Sequence, residues 1–251
     1  MSLYSAIAII PARGGSKGLP GKNVRPFGGL PLIAHSIRCA QRCPEIQRCI
    51  VSTDSEEIAR ISGEFGCEVP FLRPPELGLD STPMLPVLQH AVSETERIDG
   101  KRYEFVILLQ PTSPFRLPED ISGALHIISS DDQAAGVVAV SVPSFSPRAV
   151  CVEEERGYLK WAFAEKVYTR RQDAAPIYRI NGLLYVWRRE YLMRTSVDEL
   201  YRAPHRVFMI PEERALDIDC LHDFQVGEAL LQAGILELPW CEGTSAAIRH
   251  S

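Results

Sequence analysis

Residues Ala6–Ile10 (AIAII) run directly into Pro11–Asn23 (PARGGSKGLPGKN), and this junction decides the fold. A short unbroken apolar run that stops at a turn reads as a strand buried on both faces, the kind parallel sheets contain. The loop that follows carries four glycines, two prolines and the cations Arg13, Lys17 and Lys22. Glycines let successive backbone N–H groups turn toward one anion and let it approach with no Cβ in the way. The cations then neutralise charge that N–H dipoles alone cannot, so a triphosphate is the expected guest. The loop is not a Walker motif: Ser16 stands where its first glycine belongs and Asn23 replaces the magnesium-binding Ser or Thr. GxGxxG is not matched either.

Outward from this junction the same pattern repeats. Arg48–Thr53, Tyr103–Leu109 and Ala135–Val142 read as further buried strands. Amphipathic helices separate them, with stripes at Ile33, Ile37 and Ala40, at Ile58, Ile61 and Phe65, at Leu85, Leu88, Val92 and Thr95, and at Ile121, Leu125 and Ile128. Strands alternating with helices predict right-handed crossovers and an α/β fold with a mostly parallel sheet. Ligands of such sheets bind beyond the carboxyl ends of the strands, which makes each strand end a place to look for chemistry.

The alternation breaks between about Ser144 and Gln172. There, Ala149–Glu153 and Tyr158–Ala162 read as two short strands of a hairpin, an excursion from the main sheet that suits a dimer contact. Alternation resumes with strands at Gly182–Trp187 and Arg206–Ile210 and a last helix from about Leu221 to Ala233. The predicted organisation is one α/β domain from residues 1–143 and 173–240, a dimerisation excursion at 144–172, and a tail at 241–251.

Composition bounds the function. A net charge of −5 among 251 residues offers no nucleic-acid surface. The seven cysteines are scattered and never spaced as CxxC, which argues against a disulfide framework or zinc site and for a reducing compartment. The opening apolar run is too short for a signal peptide or membrane span, so a cytoplasmic protein with no membrane partner is expected.

Leu216–Asp219 (LDID) is the second strong signal. In an extended chain residues i and i+2 share a side, roughly 7 Å apart, so Asp217 and Asp219 can hold one cation while Ile218 faces the core. Magnesium suits two carboxylates completed by phosphate oxygens. The competing assignment makes Asp219 the N-cap of the last helix and Asp217 a surface charge. Gln110, at the tip of a predicted strand, can both donate and accept, which suits sugar hydroxyls. None of the six histidines sits in a motif, and His35 and His90 read as packing residues within helices.

Together these segments resemble the acylneuraminate cytidylyltransferases, a branch of the CMP-sugar-acid synthetases that includes relatives acting on other nonulosonic acids. The likeness runs from Ile7 to about Leu231 through PARGGSKGLPGKN, Phe71–Leu77 (FLRPPEL), Gln110–Arg116 (QPTSPFR), Tyr178–Gly182 (YRING) and LDID with Asp223-Phe224. It implies a Rossmann-like nucleotidyltransferase fold with a small hairpin excursion and a homodimer. The implied reaction is Mg²⁺-dependent joining of CMP, from CTP, to an acidic nine-carbon sugar of the sialic-acid type, with release of pyrophosphate. By this resemblance Arg13, Ser16, Lys17, Lys22 and Asn23 hold the CTP phosphates and ribose, with Arg13, Lys17 and Lys22 acting in catalysis. Arg73 lies against the cytosine, Gln110 and Thr112 face the acceptor sugar, and Arg171, Arg179 and Asn181 bind its carboxylate and polar groups. Asp217 and Asp219 hold the metal, and Asp223 is structural.

Two departures stand out. Met84 replaces a serine that helps bind the nucleotide in some sialic-acid members, leaving Ser81 or Thr82 as substitutes or as the helix N-cap. Thr169-Arg-Arg-Gln lacks the usual proline before its arginine, which leaves the register between Arg170 and Arg171 open. Other acceptors, such as legionaminic, pseudaminic or deoxyoctulosonic acids, remain alternatives, although SKGLPGKN departs from the eight-carbon pattern. A non-catalytic nucleotide-binding protein is the alternative of a different class.

Overall fold

The computed structural model describes residues 5–15, 18–163 and 176–241. Ser16, Lys17, Arg170, Arg171, Gln172 and the tail 242–251 lie outside them.

The opening apolar run forms β1 (Ala6–Pro11), flanked by β4 (Ile46–Ser52) and β5 (Phe105–Leu108), both parallel to it. With β6 (Gly136–Ser141), β9 (Arg179–Arg188) and β10 (His205–Met209) these make a six-stranded sheet in the order β10-β6-β9-β5-β1-β4, while β2 (Pro26–Phe27) and β3 (Leu30–Pro31) pair apart from it. Only β9 runs against its neighbours, pairing antiparallel with both β5 and β6. The expected mostly parallel sheet is therefore present.

Strand alternation feeds two cores. Ala6, Ala8 and Ile10 of β1 face one side of the sheet; Ile7 and Ile9 face the other. On the first side pack α1 (Leu32–Gln41), α2 (Glu56–Glu64), α4 (Pro118–Ser129) and α7 (Leu221–Gln232), through residues such as Ile33, Ile58, Ile121 and Phe224. On the second pack α3 (Met84–Asp99) and α6 (Arg189–Arg194), through Leu85, Leu88, Val92 and Leu192. The predicted stripe residues are buried except Phe65, which is half-buried against the first core. Each fully buried Leu or Ile contributes about 2 kcal/mol by area.

Two local expectations are corrected. Neither Ser81 nor Thr82 caps α3: the helix starts at Met84 after Pro83 with no side-chain cap, and the Thr82 hydroxyl donates instead to the Glu76 carbonyl at 2.8 Å. The excursion hairpin pairs β7 (Val152–Glu155) with β8 (Tyr158–Trp161), while Pro147–Val150 is a short helix, α5. Pro147 presets helical φ for that turn. Arg156 and Gly157, at φ 56° and 85°, make a two-residue hairpin loop that carries the first strand on to Glu155.

Candidate active site

The sheet reverses direction of growth at β1, with β4 on one side and β5 on the other, and the cleft opens beyond the carboxyl ends of these strands. It encloses about 290 Å³. Arg13, Lys22 and Asn23 line it from the Gly-rich loop, Arg73 from the segment beside β4, Gln110 and Thr112 from the end of β5, and Asp219 from beyond β10. Seven residues predicted for one site thus come from four separate segments to one cavity.

The loop is held from several directions. Ala12 N–H donates to the Ser52 carbonyl at 3.0 Å, and Gly14 N–H to Asp54 Oδ1 at 2.9 Å. Gly21, at φ 68°, turns the chain into the 3-10 turn Lys22–Val24. Asn23 Nδ2 donates back to the Arg13 carbonyl at 3.1 Å. Lys22 is buried, its Nζ donating to the Ile218 carbonyl at 2.7 Å and to Asp219 Oδ1 at 3.1 Å. Gly18 presses on the same segment, since a Cβ there would lie 2.5 Å from the Asp219 carbonyl oxygen. The Arg13 guanidinium is ion-paired with Asp80, another residue lining the cleft.

The LDID segment docks on the end of β5. Ile218 N–H donates to the Thr112 carbonyl at 2.8 Å, and Ile218 is fully buried between the two aspartates. Asp217 is the buried member. Desolvation pushes its carboxyl above the usual range against a hydrogen bond from Thr112, and its Oδ1 is buried with no partner among the described residues. Asp219 is the open member, its side chain 75% exposed. It does not cap the last helix: Cys220 takes that position, and Asp223 Oδ2 accepts from the N–H groups of Asp219 and Cys220 at 3.0 and 2.9 Å. Asp223 therefore holds the turn and leaves the Asp219 carboxylate available. An orphaned buried oxygen on Asp217 beside an exposed carboxylate two residues on fits a hard divalent cation. Among the described residues no cluster of three or more His, Cys, Asp or Glu could hold a metal, so phosphate and water oxygens would complete the shell.

Arg73 is buried, with Nε donating to Ser52 Oγ at 3.2 Å and its Nη groups to the carbonyls of Ser52 and Leu77. Burial lowers its pKa, and the nearby Asp54 opposes this. Beside it Leu77, Leu79, Met84 and Val87 give the cleft an apolar wall, suited to the face of a base.

On the β9 side the placement is mixed. Gly182, at φ 77°, sits in a bulge opposite the break between Val138 and Val140; a Cβ there would meet Ser113 Oγ at 3.2 Å and Gln110 Oε1 at 3.4 Å. Asn181 is not presented to the cleft, contrary to expectation. It is 1% exposed, its Nδ2 donating to Ser141 Oγ and its Oδ1 accepting from Leu183 N–H, so its amide holds the bulge. Arg179 is engaged by Glu212, at 3.1 Å to both carboxylate oxygens, and by the Ala215 carbonyl, and it is not among the residues lining the cleft.

Sequence reasoning missed four contributors. Asp54 and Asp80 hold the Gly-rich loop. Arg116, fully buried, donates to the Gln110 and Leu183 carbonyls and to Ser36 Oγ, tying the end of β5 to β9 and α1. Tyr185 lies near Asp217, its hydroxyl pKa raised by burial, by Tyr201 and by that carboxylate. Two of these positions could have been singled out: Asp54 stands just past the end of β4, and Arg116 closes QPTSPFR.

A cationic glycine loop and a carboxylate pair sharing the switch point of a mostly parallel sheet are the equipment of a nucleotide-handling α/β protein. The chain belongs to the cytidylyltransferase family, whose model matches residues 7–229. It is 33% identical to CMP-N,N'-diacetyllegionaminic acid synthase of Legionella pneumophila over 90% of this chain and 96% of that one. It is 35% identical to N-acylneuraminate cytidylyltransferase of Streptococcus agalactiae over 87% of this chain and 51% of that longer one. Among solved structures, CMP:2-keto-3-deoxy-manno-octonic acid synthetase complexed with CTP shares the fold, with a TM-score of 0.69 at 20% identity over 91% of this chain and 99% of that one. No helix among the described residues is long and apolar enough to cross a membrane.

Proposed function

We propose that this protein transfers the cytidylyl group of CTP to the anomeric hydroxyl of a nonulosonic acid. The hydroxyl oxygen bonds to the α-phosphorus and gives up its proton to solvent, the bond from that phosphorus to the bridging oxygen breaks, and pyrophosphate leaves with that oxygen. The observation that carries this reading is the contact of Lys22 with both Ile218 and Asp219, which joins the glycine-rich loop to the segment that carries the two aspartates.

Lys22, Arg13 and, by resemblance, Lys17 neutralise charge on the triphosphate and on the departing pyrophosphate. Ser16 and Asn23 complete the cradle, and Arg73 with its apolar neighbours takes the cytosine. Gln110 and Thr112 orient the acceptor, with Arg171 and Arg179 for its carboxylate. Asp217 and Asp219 would hold Mg²⁺, which when bound supplies Lewis-acid stabilisation of phosphate charge. The relatives named for legionaminic and sialic acids keep the acceptor within the nonulosonic class. The deciding experiment is pyrophosphate release with each of the four nucleoside triphosphates against a panel of nonulosonic acids. Turnover with CTP and one or more of these acids is expected; none with any acid would overturn the reading.

A homodimer built on the 144–172 excursion belongs to the same proposal. Val150, Val152, Tyr158 and Leu159 are apolar or aromatic and exposed on or beside the hairpin, a face that a second copy would cover. All seven cysteines are free thiols, which favours the cytoplasm.

A further inference from the structure

We infer that Asp80 is a positioning residue that pairs with Arg13 until phosphate displaces it, so that it limits nucleotide affinity and speeds release of pyrophosphate. The inference rests on the proposed function and adds a residue that the motif reading assigned no role.

Two of the three cations facing the cleft are paired with carboxylates in advance. Of the described residues lining it, Arg13, Lys22 and Arg73 are cations and Asp80 and Asp219 are carboxylates, so three positive charges against two negative leave one. Arg13 is paired with Asp80 and Lys22 with Asp219, while Arg73 is held by the carbonyls of Ser52 and Leu77. The two carboxylates differ in what a substrate does to them. Asp219 stands two residues from Asp217, where a divalent cation arriving with the triphosphate would engage it. Asp80 lies in the segment between the Pro75–Leu77 turn and α3, and its negative charge stays in the cleft when the nucleotide binds.

An anion must therefore draw Arg13 away from a carboxylate. Both side chains of that pair are about a third exposed, at 34% and 31%, so the pair is weak enough to exchange and near enough to be felt. A triphosphate competes well because it spreads several charges over Arg13, Lys22 and the backbone N–H groups. After transfer Asp80 takes Arg13 back, which weakens the hold on pyrophosphate.

The test is isothermal titration of inorganic pyrophosphate and of CTP into wild type, Asp80→Asn and Asp80→Glu, with melting temperatures recorded for each. Asp80→Asn should bind pyrophosphate more tightly by about threefold or more at low salt, with the gain shrinking at about 0.5 M salt as the charges are screened. Asp80→Glu should stay near wild type. In steady state Asp80→Asn should lower KM for CTP and lower kcat together, because product leaves more slowly. In an Arg13→Gln background the same change should give no gain, which holds even if Asp80→Asn alters stability. Equal or weaker pyrophosphate binding by Asp80→Asn, or a gain that persists without Arg13, would overturn the exchange. If wild type binds neither pyrophosphate nor CTP, the proposed function itself fails; if it binds both and Asp80→Asn gains nothing, only this inference does.

Discussion

Lys22 reaches 196 positions along the chain to donate to the Ile218 carbonyl at 2.7 Å, and the same ammonium lies 3.1 Å from Asp219 Oδ1. One buried cation therefore welds the loop after β1 to the aspartate segment. It is anchored by a neutral carbonyl as well as a charge, so it keeps its place when the carboxylate turns to another partner.

Replacing Lys22 by Met should lower kcat/KM by about a hundredfold, on the order of 3 kcal/mol in the transition state. Lys22→Arg should not restore it, because a planar fork cannot fill a site shaped for a compact ammonium. Steady-state kinetics with CTP measure both; near-normal turnover in Lys22→Met would remove the loop from the chemistry.

Asp217→Asn should separate activity from stability. Burial raises the folded-state pKa of this carboxyl, so its contribution to stability falls as pH rises from the unfolded value through the folded one. Once ionised, the buried group is a burden on the fold, and the amide relieves it. The variant should melt at the same or a higher temperature, lose the thermal shift given by Mg²⁺ with CTP, and turn over about a hundredfold more slowly or worse. A lower melting temperature with activity intact would contradict the metal role.

Acid should loosen the carboxy-terminal segment through His35. The ring is fully buried, with Trp240 Nε1–H donating to Nδ1 at 2.9 Å and Nε2–H donating to the Phe27 carbonyl at 2.8 Å. Both nitrogens are thus satisfied only in the neutral ring. Burial lowers its pKa from 6.5 to about 4, against the raising effect of the Phe27 carbonyl. The unfolded chain takes up the proton first as pH falls, so stability is whole above about 6.5 and declines towards pH 4, by about 3 kcal/mol from this group. Urea unfolding at pH 7 and at pH 4.5, in wild type and His35→Gln, should show a smaller pH effect in the variant. Equal effects would acquit His35.

Tyr158→Glu with Leu159→Glu should yield a folded monomer by light scattering, since both side chains are largely exposed on β8. An unchanged dimer mass would move the interface elsewhere, and a monomeric wild type would dismiss it.

The layered fold was readable because its signals are periodic. β1 alternates between two cores residue by residue, and the helical stripes fall on the faces that pack. Convergence of Lys22 with Asp219 was also readable, since strands in a parallel sheet deliver their loops to one edge. What escaped depends on contacts between distant segments. Nothing local says that Asp80 reaches Arg13 or that Arg116 bridges Gln110 and Leu183. Asn181 reads by resemblance as a contact to the acceptor sugar, yet a bulge turns it inward to Ser141. Asp223 lies within the last helix and accepts from the Cys220 N–H at its start, because a capping box places the acceptor three residues on.

The reversal of β9 has a lasting consequence. Because it is antiparallel, the first residues of β9, not its last, open beside the Gly-rich loop, and the peptide feeding them is the one that carries the hairpin. The described residues that line the cleft, apart from Asp219, all come before residue 113. Residues 142–178 contribute none of them, so that peptide can be exchanged without altering a described residue of the cleft.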